Sequence, residues 1–247
     1  MTDMLRVENV SRRFGGLLAV NRASFTADAG CITALIGPNG AGKTTLFSII
    51  TGFLKPGEGR VAYQGADITG EPPHKLARRG IARTFQIAQP FTGLTVQENI
   101  AVGSHLARAK RADALAAAKA VADTVGLGGM LDLPAASLTV AGRKRLELAR
   151  ALAIEPRLLL LDEVLAGLNP SEIRDMVPVI RAICDRGTTI VMIEHVMQAV
   201  MSLATHVFVL AEGSIIAEGS PQTIAADARV VEAYLGHGAA DRMRAHG

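Results

Sequence analysis

Nine consecutive residues have the types and spacing to hold a polyphosphate: Gly37-Pro38-Asn39-Gly40-Ala41-Gly42-Lys43-Thr44-Thr45. They fit the pattern glycine, four residues, glycine-lysine, threonine. Glycines at 37, 40 and 42 open backbone conformations closed to other residues. The loop can then curl so that successive N–H groups point inward at phosphate oxygens. Lys43 would bring a mobile positive charge to the β- and γ-phosphates, and the Thr44 hydroxyl an oxygen ligand for Mg²⁺.

A second set of candidates lies far along the chain. Arg157-Leu158-Leu159-Leu160-Leu161 runs into Asp162 and Glu163. Four leucines describe a strand buried on both faces. Adjacent acids at its end are disfavoured unless something positive meets them. Mg²⁺ would do so, held by Asp162 directly or through water, while Glu163 could orient or deprotonate an attacking water. Ile81-Ala82-Arg83-Thr84-Phe85-Gln86 reads as a strand ending in Gln86, and Thr188 to Ile193 as a strand followed by Glu194-His195. Each buried strand thus ends in a polar residue suited to phosphate chemistry, and the C-terminal ends of strands are where open α/β sheets bind ligands.

The elements that must position these groups follow from patterning. Residues 5–10 and 17–27 alternate apolar and polar, as half-buried strands do. Phe14, on the turn between them, is either a core aromatic or a stacking partner for a nucleotide base. Ile32 to Ile36 reads as a short buried strand before the loop. Residues 45–50 read as a helix start after it, ending near Gly52. Strand, glycine loop and helix together are the context that gives the motif its meaning. Thr95-Val96-Gln97-Glu98 forms a capping box, and 112–125 is a strong helix former stopped by glycines at 126, 128 and 129. A further helix begins near Gly142 and passes through Leu152. Roughly 90–155 therefore reads as a helical insertion in an α/β chain. Asn169-Pro170-Ser171-Glu172 opens another helix, 205–218 a hairpin, and 221–235 a closing helix.

Composition excludes several classes. In 247 residues, 49% are apolar, yet no run approaches the roughly 18 needed to cross a bilayer, and the N-terminus lacks signal-peptide form. Cys31 and Cys184 make no metal or redox motif. A net charge of +3 reads as solvated surface charge and does not argue for nucleic acid.

The chain resembles the nucleotide-binding subunit of ATP-binding cassette transporters over nearly its whole length. The phosphate loop, Gln86, the leucine-Asp-Glu run at 158–163 and His195 fall in that family's order. The resemblance implies an α/β P-loop NTPase (RecA-like) core with an antiparallel β subdomain and an inserted helical subdomain. Residues 1–247 would form one cassette, with 1–89 and 156–235 as the core and β subdomain, 90–155 as the helical subdomain, and 236–247 as a loose tail. ATP would be held with Mg²⁺ by Gly37, Asn39, Gly40, Gly42, Lys43, Thr44 and Thr45. Phe14 would take the base-stacking position and Asp162 would hold the metal. Gln86 would touch Mg²⁺ and couple to a membrane partner, Glu163 would act on water, and His195 would contact the γ-phosphate.

The family's sandwich dimer would close a partner's signature segment over the nucleotide. Here that segment departs from Leu-Ser-Gly-Gly-Gln. Thr139 takes the serine position, Ala141 the second glycine and Gly142 the glutamine, although a slide by one puts Gly142 on the glycine. Thr139 keeps a hydroxyl, whereas Ala141 bears on close backbone approach. Phe14 to Val20, Arg83 to Gln86, Ala166 to Pro170 and Val231 to Gly236 are similar to the first of the two ATPases in branched-chain amino acid importers. The expectation is an ATP-hydrolysing subunit, peripheral at the cytoplasmic face of the inner (plasma) membrane. Its partners would be a second cassette (a paralogue, with a homodimer as the alternative), two permease subunits and, indirectly, a solute-binding protein. The rival readings are an ATP-binding regulatory scaffold with weak turnover and the ATPase of a lipid-export system.

Overall fold

A computed structural model describes residues 3–86 and 89–235, so the tail expected over 236–247 lies outside the described residues. In chain order, β1 is Asp3–Phe14, β2 Leu17–Asp28, β3 Ile32–Ile36, α1 Lys43–Ile50, β4 Glu58–Tyr63 and β5 Ala66–Asp67. There follow α2 Pro73–Arg78, β6 Ile81–Arg83, α3 Val96–Ser104, α4 Arg111–Thr124, α5 Val140–Leu152, β7 Leu158–Asp162 and α6 Pro170–Asp185. The last are β8 Thr189–Ile193, α7 Met197–Leu203, β9 His206–Ala211, β10 Ser214–Gly219, α8 Pro221–Ala225 and α9 Ala228–Leu235. The chain divides into two compact units, residues 1–73 with 189–247, and residues 74–188.

The first unit carries an antiparallel sheet in the order β2-β1-β4-β5. Alternation holds in β2 from Ala23 through Phe25 to Ala27, whereas between the buried Val20 and Ala23 the register shifts, with Arg22 at φ 46°, so the regular alternation expected over 17–27 is interrupted there. The unit also holds a second set of strands, in which β3 pairs in parallel with β8 and with β9, and β9 turns back antiparallel into β10. All five residues of β3 and of β8 are buried, which is why these strands read as continuous apolar runs. The closing helix expected over 221–235 is two helices, α8 and α9.

In the second unit β6 pairs in parallel with β7, placing Ile81, Ala82 and Arg83 opposite Leu158, Leu159 and Leu160. The strand expected over 81–86 therefore stops at Arg83, and Gln86 lies beyond it. The physical reason is at Thr84. Its N–H still donates to Leu160, but its hydroxyl accepts from the Asp162 N–H at 3.0 Å, which replaces the next rung of the ladder. The helices are capped as their sequences demand. Thr95 and Asn169 each form a reciprocal capping box with the glutamate three residues on. Pro170 opens α6, which continues as helix through Pro178.

Candidate nucleotide-binding site

In the first unit the glycine loop runs between β3 and α1. Gly37, Gly40 and Gly42 take φ of 151°, 80° and 104°, conformations that favour glycine. Two of these positions are also closed by packing. A Cβ at Gly37 would lie 1.9 Å from the Leu210 carbonyl oxygen, and one at Gly42 would lie 2.3 Å from that of Ala19. The loop is anchored from behind by the β9–β10 turn, where the Gly213 N–H donates to the Ala41 carbonyl at 3.0 Å. Helix α1 starts at Lys43 with no side-chain cap, and the N-terminus of a helix is where an anion is favoured.

Lys43 is buried, and its ammonium donates to the carbonyls of Gly37 at 2.7 Å and Pro38 at 2.9 Å. Thr44 and Asn39 are exposed and Thr45 is half-buried. Phe14 is 42% exposed and so lies outside the core, and the Arg12 guanidinium lies 5.1 Å from its ring centroid. His195 is exposed, two residues past β8, and follows the buried Glu194. Tyr234 on α9 meets the loop as well, an approach that sequence reasoning missed. Burial pushes its phenol up, against a backbone hydrogen bond from Gly37.

The second unit holds the remaining candidates. Asp162, the last residue of β7, is buried, and its Oδ2 accepts from Arg83 Nη2 at 2.7 Å. Its Oδ1 is buried with no protein partner. Glu163 leaves the strand at φ 50°, and its carboxylate accepts from Gln86 Nε2 at 2.6 Å. Gln86 and Glu163 are thus brought together, while Asp162 faces Arg83. Thr139 is the N-cap of α5, where its hydroxyl accepts from the Gly142 N–H at 3.1 Å. Ala141 is half-buried and Gly142 is buried against the Leu138 side chain.

Sequence reasoning missed Arg83, Lys144 and Glu147. The available signal was charge in positions that periodicity gives to the core. Arg83 sits in a buried strand, and Lys144 and Glu147 share the α5 face of Leu148 and Ala151, all of them buried. Burial raises the Glu147 carboxyl above its ordinary range, opposed by Arg150, the Phe85 N–H and Lys144.

A glycine loop that opens a helix behind a buried parallel strand defines an α/β protein of the phosphate-loop class. A family model described as ABC transporter matches residues 20–166, and one described as branched-chain amino acid ATP-binding cassette transporter matches residues 214–240. The chain is 38% identical over 249 residues to the high-affinity branched-chain amino acid transport ATP-binding protein BraF of Pseudomonas aeruginosa, covering 94% of this chain and 98% of that one. It is 36% identical to the corresponding LivG protein of Escherichia coli, with the same coverage of 94% and 98%. Among solved structures, a nucleotide-free ATP-binding cassette from an ABC transporter superposes with a TM-score of 0.87 at 33% identity, over 95% of this chain and 100% of that one. An ADP conformation of an ABC transporter cassette gives 0.87 at 33%, over 96% and 100%. The chain belongs to the ABC transporter family, as an ATP-binding cassette.

Proposed function

We propose that this chain is the ATP-hydrolysing, energy-coupling subunit of an importer for branched-chain amino acids or related small solutes. The observation that carries the reading is the match of residues 214–240 to the branched-chain cassette model, in a chain that also holds a fully formed phosphate loop. A phosphate loop by itself supports nucleotide chemistry and no particular solute. Among the described residues no helix is long and apolar enough to cross a membrane, so the spans would belong to separate permease subunits.

In this reading the loop N–H groups and Lys43 take the β- and γ-phosphates, Lys43 exchanging its bonds to Gly37 and Pro38 for phosphate oxygens. Phe14 stacks on the base and His195 meets the γ-phosphate. Within the second unit the Gln86 amide and an Asp162 Oδ1 that is buried without a protein partner suit a hard divalent cation, and the exposed Thr44 hydroxyl of the first unit is a donor of the same class. Mg²⁺ bound there would neutralise charge on the transferring phosphoryl group. Glu163 positions and deprotonates the attacking water once Gln86 releases its carboxylate. Thr139, Ala141 and Gly142 of one cassette would close over the nucleotide of another, and the opening and closing of that pair would drive the permease.

The test is ATP turnover by this chain alone and mixed with its neighbouring cassette, followed by solute uptake in vesicles with the permease subunits. Glu163→Gln should keep ATP binding and lower turnover by about 10²–10⁴-fold. Turnover equal to the unmodified chain would remove Glu163 from its role. Normal uptake by permeases without this chain would remove the transport reading.

A further inference from the structure

Lys144 lies one turn into α5, on the face that packs inward, and is 7% exposed. A buried ammonium persists only where acceptors meet it. Here the acceptors are main-chain carbonyls, that of Gln86 at 2.9 Å and that of Glu163 at 3.0 Å. These two residues also bond to each other through their side chains. One cation therefore holds the backbone of both residues to which the coupling and water-activating roles are assigned, and leaves their side chains to do the chemistry.

Two neighbouring observations strengthen the tie. Glu163 holds φ 50°, a conformation that a residue with a side chain keeps only when its surroundings determine it. The bond from Lys144 falls on the carbonyl of that residue. Three residues further along α5, Glu147 accepts from the N–H of Phe85 at 3.3 Å, immediately before Gln86. Helix α5 thus grips the 85–86 stretch at two points and the Glu163 turn at one. The N-terminus of the helix, one turn before Lys144, is the Thr139 cap.

We propose that Lys144 is a positioning residue that locks the main chain at Gln86 and at Glu163 to α5, so that displacement of the Thr139 end of the helix moves both together. This rests on the assignment of Gln86 and Glu163 above. A side chain that lets two distant segments respond as one is the physical requirement for coupling between them.

The full chain is tested as Lys144→Met, which keeps the length and loses the charge, and as Lys144→Arg. Lys144→Met should lower kcat for ATP by about 2- to 30-fold with the KM for ATP and ATP affinity unchanged, and Lys144→Arg should recover most of the loss. Amide hydrogen exchange supplies a readout independent of turnover. Peptides containing Gln86 and Glu163 should both exchange faster in Lys144→Met, while phosphate-loop peptides do not change. If Lys144→Met fails to fold, Lys144→Gln is read in the same way. Unchanged exchange at both segments, faster exchange at only one, or a uniform loss of protection with a lowered Tm would each overturn the proposal. Wild-type turnover by Glu163→Gln would defeat the assignment of Glu163 instead, and the exchange measurements would still decide whether Lys144 ties the two segments.

Discussion

Arg83→Met should destabilise the chain far more than the loss of a surface ion pair would. An exposed pair contributes at most about 1 kcal/mol. The Arg83–Asp162 pair is of another kind, with side chains 6% and 2% exposed and the two groups 2.7 Å apart. Methionine fills much of the arginine stem's volume, so the main loss is the charge. Asp162 would keep its buried carboxylate with Oδ2 newly deprived of its partner and Oδ1 already without one. Removing one member of a buried pair costs about 3–5 kcal/mol, mostly as the penalty on the charge left behind. For a chain of this length each kcal/mol moves Tm by about 2–4 °C, so a fall of roughly 6–20 °C is expected. Urea unfolding followed by circular dichroism measures it, with an unchanged slope showing that the unfolded state is not what moved. Adding Asp162→Asn to Arg83→Met should recover most of the loss, because the stranded charge is gone. A loss below about 1 kcal/mol, or a double variant as unstable as the sum of the singles, would refute the account.

Gly42→Ala should abolish binding of an ATP analogue while the chain stays folded. Its φ of 104° costs about 1–3 kcal/mol for a residue with a side chain, and its Cβ would meet backbone 2.3 Å away. Gly40→Ala, where a Cβ meets no atom within 4 Å, should cost less stability, and equal losses at the two positions would contradict the packing argument. Glu147 gives a pH dependence. Burial raises its folded value, so the native state binds the proton more tightly than the unfolded chain does. The stability this contributes is whole below the unfolded value of about 4.3 and is lost as pH rises through the folded value. The urea midpoint of the unmodified chain should therefore fall relative to Glu147→Gln as pH rises above about 4.3. A difference that stays constant with pH would refute it.

What could be read from the sequence was local. The glycine loop, its strand and its helix are contiguous, and their residue types are dictated by neighbours a few positions away. The capping boxes at Thr95 and Asn169 close over four residues each, so they too were legible. The strand over 81–86 was read too long because its end depends on Thr84 meeting Asp162, 78 positions away. The ties made by Arg83 and Lys144 span 79, 58 and 19 positions and carry no local pattern beyond a charge where an apolar residue was due. Phe14 stayed ambiguous for a related reason, since spacing cannot say whether a turn aromatic faces inward or outward.

The environments of Asp162 and Glu163 show how two adjacent carboxylates come to differ. The apolar run of β7 ends in an acid because the next strand supplies Arg83 opposite it and Thr84 closes the ladder. One residue later the chain turns through a positive φ, which carries the Glu163 side chain away from the strand and toward an exposed amide, that of Gln86. Asp162 is thus fixed by a buried cation on one oxygen and offers the other, while Glu163 is held by a neutral donor that can leave. Under the proposed function, charge fixed in place would suit Asp162 for holding a metal, and a releasable partner would suit Glu163 for taking up a water. The same turn presents the Glu163 carbonyl to Lys144. The positive φ that separates the two acids therefore sits at the residue whose carbonyl Lys144 holds to α5, and Lys144→Met should loosen Glu163 while the Arg83–Asp162 pair stays in place.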